Sequence, residues 1–273
     1  MDGSFATGAA VAAALISGGH NPWLASLTAL AVGALCGLAT AVLNRRFGML
    51  HLLAGILTTI ALFSIDLRIM GRPNVPLIAE STVLTPFEAL GFSDAVTRAA
   101  VAGIAAIVVA TLLAIFLLSE RGLAMRATGA NPRMARANGV DVDRNIYIGL
   151  AMSNGLVGLA GALFAQFAGF ADVGVGTGTI IFGLAAVILG ETLFPTRRIP
   201  VVLIACVFGS ILYRLVVGLA LNLQILGLRS SDLRLVTALL VAVAFVVSQK
   251  RGALRRKAGP AVLRVSSKEG APS

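Results

Sequence analysis

The sequence predicts an all-α integral membrane protein, a polytopic bundle of about eight transmembrane helices. Three observations carry that prediction. Of the 273 residues 58% are hydrophobic and only 12% are charged, too little charge to keep a soluble surface wet but suited to a bundle whose outside faces lipid. Apolar runs of roughly the 20 residues that cross a bilayer recur along the chain. Basic residues gather at the ends of these runs, where the positive-inside rule assigns them to the cytoplasmic face. The 30 glycines fit the same picture, because small residues let helices approach closely in lipid, where burial from water drives nothing.

Spanning segments are predicted near 5–18, 23–43, 49–67, 97–119, 146–170, 178–194, 200–221 and 232–249, the first of them short. Segment 5–18 follows Met1 without the basic flank and cleavage pattern of a signal peptide. Arg45 and Arg46 follow the second segment, Arg121 to Arg144 lie between the fourth and fifth, and Arg197 and Arg198 follow the sixth. Lys250, Arg251, Arg255, Arg256 and Lys257 follow the eighth. All four clusters fall on one side, so both termini are expected in the cytoplasm. The transmembrane domain is 1–250, and 251–273 reads as a disordered basic tail lying near anionic lipid.

The opposite side carries the turn 18–23, the loop 71–96, the link 169–176 and the stretch 222–231. Loop 71–96 holds Pro73, Pro76, Pro86, Glu80, Glu88 and Asp94 and is long enough for a small external hairpin or helix. A weak internal repeat relates Asp2-Gly3 and Gly8, ahead of one apolar run, to Asp172, Gly174, Gly176 and Gly178 ahead of another. Duplicated halves meeting at glycine-interrupted helices point to a translocation path, while chance similarity among Gly- and Ala-rich helices is the competing explanation. On the first reading Asp2, Ser4, Gly174, Gly176 and Gly178 are path candidates, since glycine breaks expose backbone groups that a cavity can satisfy. Ser153, Asn154 and Gln166 interrupt an apolar helix with Gly155, Gly158 and Gly161 on its packing faces. Such polar groups hydrogen-bond across helices or line a pathway; Asn154 is retained as a path candidate.

Several function classes find no residues. The net charge of +10 is not interleaved with aromatics, which argues against nucleic acid. Cys36 and Cys206 lie inside apolar runs, and His20 and His51 flank segments, so neither a disulfide nor a metal or catalytic site is implied. There is no phosphate-binding loop, Ser–His–acid set or paired carboxylate. An ion-coupled carrier needs a mid-membrane carboxylate. Asp66, beside Arg68 near the outer end of its segment, and Glu191, near Arg197 and Arg198, are each expected to reach an interface or a salt bridge.

The longest polar interval, RATGANPRMARANGVDVD, carries Arg126, Arg133, Arg136 and Arg144. Asn131-Pro132 forms a good N-cap and N1 pair, Met134, Ala135 and Ala137 supply a small apolar side, and Gly139 is placed to stop the helix. A stub of about two turns over 131–139 follows, too short to span a membrane. Composition alone reads the interval as a solvated loop between membrane helices.

RATGANPRMARANGV resembles the coupling-helix motif of permease subunits of bacterial ABC importers, in the branched-chain amino acid and ribose permease superfamily. Arg126, Gly129, Asn131, Ala135 and Gly139 stand at the matching positions. DGSFATGAAVAAALI, LLAGILTTIALFSIDLRIMGRPNVPL and SNGLVGLAGALFAQFAGFADVGVGTG extend the resemblance over nearly the whole chain. They are similar to a subgroup associated with periplasmic or lipid-anchored binding proteins of a tryptophan/tyrosine type. The resemblance implies a permease in the inner membrane that pairs as a homodimer and passes a small solute received from such a binding protein. It implies a separate ATPase subunit holding ATP and Mg, with no cofactor on this chain. Arg126, Gly129, Asn131, Pro132, Arg133, Ala135, Arg136 and Gly139 would form the ATPase contact. Permeases that this chain resembles usually have a further membrane helix ahead of a segment like Asp2–Phe5, so this chain is expected either to lack that helix or to have a start assigned too late, which upstream DNA tests. An ion-gradient-driven carrier, a structural membrane subunit and an exporter remain open alternatives.

Overall fold

The computed structural model describes residues 1–88, 93–194 and 198–222. In chain order these form α1 (Asp2–Ser17), α2 (Pro22–Arg45), α3 (His51–Met70), β1 (Asn74–Pro76), α4 (Thr85–Glu88) and α5 (Asp94–Leu118). They continue as α6 (Glu120–Ala130), α7 (Pro132–Ala137), α8 (Val142–Ala168), β2 (Phe170–Asp172), α9 (Thr179–Leu193) and α10 (Ile199–Asn222). Among the described residues α2, α3, α5, α8 and α10 are long and apolar enough to cross a membrane. The apolar helices α1 and α9 have only 16 and 15 residues, about 24 and 22 Å at 1.5 Å per residue, short of a hydrocarbon core of about 30 Å. Seven of the eight predicted segments thus correspond to apolar helices. The eighth, 232–249, lies outside the described residues, as do 223–231 and the tail 251–273.

Local signals set the helix ends. The Asn21 side chain accepts the Trp23 N–H at 2.9 Å with Pro22 in the first turn of α2, satisfying one of the amides that a helix start leaves orphaned. Asp141 caps α8 in the same way by accepting the Arg144 N–H at 3.0 Å.

The chain divides into two compact units, 1–180 and 181–273. In the first, α8 packs most extensively along α2 and next along α1, and the contact is backbone against backbone. A methyl group on Gly158 would sit 2.7 Å from the Ala29 carbonyl oxygen of α2, while one on Gly8 of α1 would overlap the Gly158 carbonyl itself. Fully buried alanines, among them Ala9, Ala13, Ala25, Ala29, Ala162 and Ala165, fill the rest of the seam. At that separation short polar side chains bridge the helices. Ser4 Oγ donates to Asn154 Oδ1 at 2.7 Å, and Gln166 Nε2 donates to Ser26 Oγ at 2.9 Å while its Oε1 accepts the Val83 N–H at 3.0 Å. By contrast α5 is almost uncovered, exposing Ile107, Leu112 and Ile115, a face suited to lipid.

Among the described residues of loop 71–96 there is a short helix and no hairpin within the loop. It contributes β1, which pairs antiparallel with β2 in the register Asn74↔Asp172, Val75↔Ala171 and Pro76↔Phe170, and then the short α4. Its partner lies far along the chain, which local turn signals cannot reveal.

In the second unit, 181–194 and 198–222 are described. A methyl group on Gly209 of α10 would overlap the Ala186 carbonyl of α9, and ring contacts join Phe182 to Tyr213 at 5.9 Å and Phe194 to Phe208 at 6.1 Å.

Close backbone approach makes a specific prediction. Gly161→Ala, whose methyl would overlap the Phe5 carbonyl, lowers stability by about 1–3 kcal/mol as an overpacked contact. Gly103→Ala in α5, with nothing within 4 Å, is neutral or gains up to about 1 kcal/mol from helix propensity. Thermal unfolding of the two variants in detergent checks the contrast.

Candidate functional site

Two regions at opposite ends of α8 bring the sequence-predicted residues together. At its start, the chain breaks sharply between α5 and α6, because a methyl group on Gly122 would overlap the Phe116 carbonyl. Thr128 of α6 is buried, donates to the Ala124 carbonyl at 2.9 Å and accepts from Asn145 Nδ2 of α8 at 3.2 Å. That bond fixes α6 to α8. An open cavity of about 300 Å³ lies between them, lined by Phe116, Arg121, Met125, Arg144 and Asn145 among others. Arg45 at the end of α2 pairs with Asp143 near the start of α8, an exposed pair of the kind worth about 0–1 kcal/mol.

The helix α7 is closed at both ends. Asn131 Oδ1 accepts the Met134 N–H at 3.1 Å, and Pro132 occupies the first turn without needing a donor there. At the other end Gly139 takes φ +79°, its N–H returns to the Arg136 carbonyl at 3.1 Å, and the Val140 N–H returns to the Ala135 carbonyl at 3.0 Å. These are the paired bonds of a Schellman stop. Ala135 is buried, so α7 rests on the chain through that side, whereas Arg133, Met134 and Arg136 point away and are exposed. Neither arginine has an ion pair among the described residues. Arg126 and Gly129 lie three apart on α6 and are exposed too, with open space above Gly129. The eight residues predicted at a partner contact therefore occupy one short stretch. Six of them are exposed side chains or surface, Ala135 is its anchor and Gly139 its stop.

At the other end of α8 the link after β2 turns back onto the start of α1. Asp2 accepts from Thr179 Oγ1 at 2.8 Å, the Ile180 N–H at 3.0 Å and the Gly178 N–H at 3.3 Å. Gly176 packs so closely that a methyl group would overlap the Asp2 carbonyl, and Gly178 needs its φ of +89°. Asp2, Gly176 and Gly178 thus converge, and Asp2 and Gly176 line a cavity of about 120 Å³. Gly174 sits apart, exposed, its N–H bonded to Asp172 Oδ1 at 2.8 Å. Ser4 and Asn154 face each other inside the helix seam, away from that cavity.

One expectation is corrected. Asp66 reaches neither an interface nor a salt bridge: it is fully buried, and both carboxylate oxygens lack a hydrogen-bond partner among the described residues. Arg68 cannot help, because two positions along a helix are about 200° apart, and it is exposed on the other side of α3. The signal was present in the sequence. Ala54, Thr58, Leu62, Asp66 and Met70 recur every fourth residue and form the buried stripe of α3. Glu191 is exposed, and Arg197 lies outside the described residues.

Cap geometry predicts the local stability of α7. Asn131→Ala removes the acceptor of the Met134 amide at a cost of about 1 kcal/mol. Hydrogen exchange in the 132–138 peptide should then quicken roughly fivefold, with exchange in α8 unchanged.

Comparison with known proteins places these features. The family described as branched-chain amino acid transport system / permease component matches residues 1–250. The chain is 35% identical over 247 residues to a tyrosine transport system permease protein of Clostridioides difficile (strain R20291), covering 90% of this chain and 80% of that one. It is 30% identical over 253 residues to a guanosine ABC transporter permease protein of Bacillus subtilis (strain 168), covering 87% and 69%. A nucleoside ABC transporter permease protein of Lactococcus lactis subsp. cremoris (strain MG1363) is 28% identical over 191 residues, covering 64% and 58%. No solved structure matches significantly. With its series of apolar helices, the chain is a multi-pass protein of the bacterial inner membrane, and it belongs to the branched-chain amino acid permease family, the membrane-spanning components of ABC importers for small solutes.

Proposed function

We propose that this permease imports an amino acid of the aromatic type, with tyrosine the first solute to test. A binding protein delivers the solute and a separate ATPase subunit drives its passage. The permease relative named for tyrosine, 35% identical and covering 90% of this chain, supports the substrate class. The nucleoside and guanosine permeases favour a second reading, nucleoside import, at lower identity.

The observation that carries the mechanism is α7, a stub capped at both ends that offers Arg133, Met134 and Arg136 outward while resting on Ala135. Arg126, Gly129, Asn131, Pro132 and Gly139 complete the ATPase contact. ATP and Mg are held by the partner, since this sequence has no phosphate-binding loop. A push on α7 reaches α6, which the Thr128–Asn145 bond joins to α8. From there it reaches α1 and α2, because α8 meets them at its backbone and cannot slide without displacing them. Two copies pair around the path, with Asp2, Gly176 and Gly178 beside it, while Ser4 and Asn154 hold the adjoining helix seam and Gly174 lies on the exposed turn. On this reading both termini lie in the cytoplasm, which the basic clusters support, and loop 71–96 faces the binding protein on the other side.

A pull-down in detergent with the ATPase encoded nearest to this chain tests the reading. Arg133→Glu/Arg136→Glu should weaken binding at least tenfold, about 1.4 kcal/mol, and abolish receptor-stimulated ATP hydrolysis in liposomes. A wild type that binds no ATPase, or a double variant indistinguishable from it, makes a gradient-driven carrier the better account.

A further inference from the structure

Asp66 is the one charged side chain among the described residues that is buried, and both of its oxygens are without a hydrogen-bond partner there. The Thr7 hydroxyl lies close, but it donates its proton to the Gly3 carbonyl at 2.9 Å. Leaving an ionisable group unpaired inside a membrane helix is costly, and such groups mark substrate or ion pathways.

Asp66 also borders a cavity, although its own surface is covered. With Asp2, Thr59, Phe63, Gly176 and Thr177 it lines the cavity of about 120 Å³, more than a single water needs. Two carboxylates and no basic side chain line that cavity; the Met1 ammonium group lies beside Asp2, which leaves the Asp66 side of the cavity the one that favours a cation. Asp2 is already bonded to three donors, whereas Asp66, covered in this conformation, is the acceptor without a partner among the described residues. It lies four residues before the end of α3, about 6 Å along the axis, near the loop proposed to face the binding protein. The Phe63 ring in the same lining offers a surface that a cation also favours.

We propose that Asp66 is a substrate-binding residue that receives the protonated amino group of the solute in transit, through a charge-assisted hydrogen bond. This rests on the permease reading and deepens it. A solute with an ammonium group gains a partner in this cavity, and a nucleoside, which has no protonated amine at neutral pH, does not.

The test uses the full chain in lipid nanodiscs, without ATPase, and reads thermal unfolding with tyramine, with 3-(4-hydroxyphenyl)propionate and with sodium chloride. Tyramine should raise the wild-type midpoint by about 3 °C at tenfold excess over its Kd, and the other two should not. Asp66→Asn, which keeps the shape and removes an unpaired charge, should lose the shift. Thr177→Trp should lose it too, by blocking the cavity from an exposed turn residue that is remote from the helix seam, so the test does not hang on the folding of one variant. No shift with tyramine, a shift that survives in the variants, or an equal shift with sodium chloride overturns the proposal. The ATPase pull-down is independent of this measurement, so either can fail while the other stands.

Discussion

The contact of α8 with α1 and α2 at the level of the peptide backbone is the constraint on which the rest depends. Helices normally pack 8–10 Å apart on their side chains; here glycines remove those side chains, and carbonyl oxygens of one helix rest where a methyl of the next would be. The short reach that results lets Ser4 meet Asn154 and lets Ser26 meet Gln166. Larger residues at the glycines would part the helices and leave those polar groups unpaired in an apolar interior, where each costs far more than its hydrogen bond is worth in water.

Because that seam is stiff, α8 is a rod with a distinct structural feature at each end. Its first turns hold α6 and, through it, the capped stub α7. Its last residues lead through β2 into the turn whose amides gather around Asp2. The two ends differ in charge. Arginines that have no ion pair among the described residues stand out around α7, whereas carboxylates line the cavity beside the turn. An exposed positive face with Met134 at its centre suits a protein partner, and a recess lined by Asp2 and Asp66 suits a small cation.

Much of this was legible in the sequence because it depends on local chemistry. Apolar runs became helices, Asn131-Pro132 became a cap, and Gly139 became a stop, each set by residues within a turn or two. Asp2, Gly176 and Gly178 were singled out as path candidates on pattern alone, and the structure brings those three residues into direct contact. What was misjudged depends on direction or on distant partners. Arg68 looks like a partner for Asp66 in one dimension and points the opposite way in three. The pairing of β1 with β2, the bond from Ser4 to Asn154 and the anchoring of Thr128 by Asn145 each join residues that no local signal connects. The four-residue spacing of the buried side of α3 was available and carries the lesson: in a membrane helix, the stripe to which a carboxylate belongs says more than its neighbour in sequence.

The most direct measurement of the central claim is uptake of labelled tyrosine into proteoliposomes containing this chain, its ATPase and its binding protein, with ATP supplied on the ATPase side. Ionophores collapse every ion gradient in one arm, and ATP is omitted in the other. An importer of this family continues uptake without gradients and stops without ATP. Uptake that persists without ATP and fails when gradients collapse would contradict the account, and would identify a secondary carrier instead.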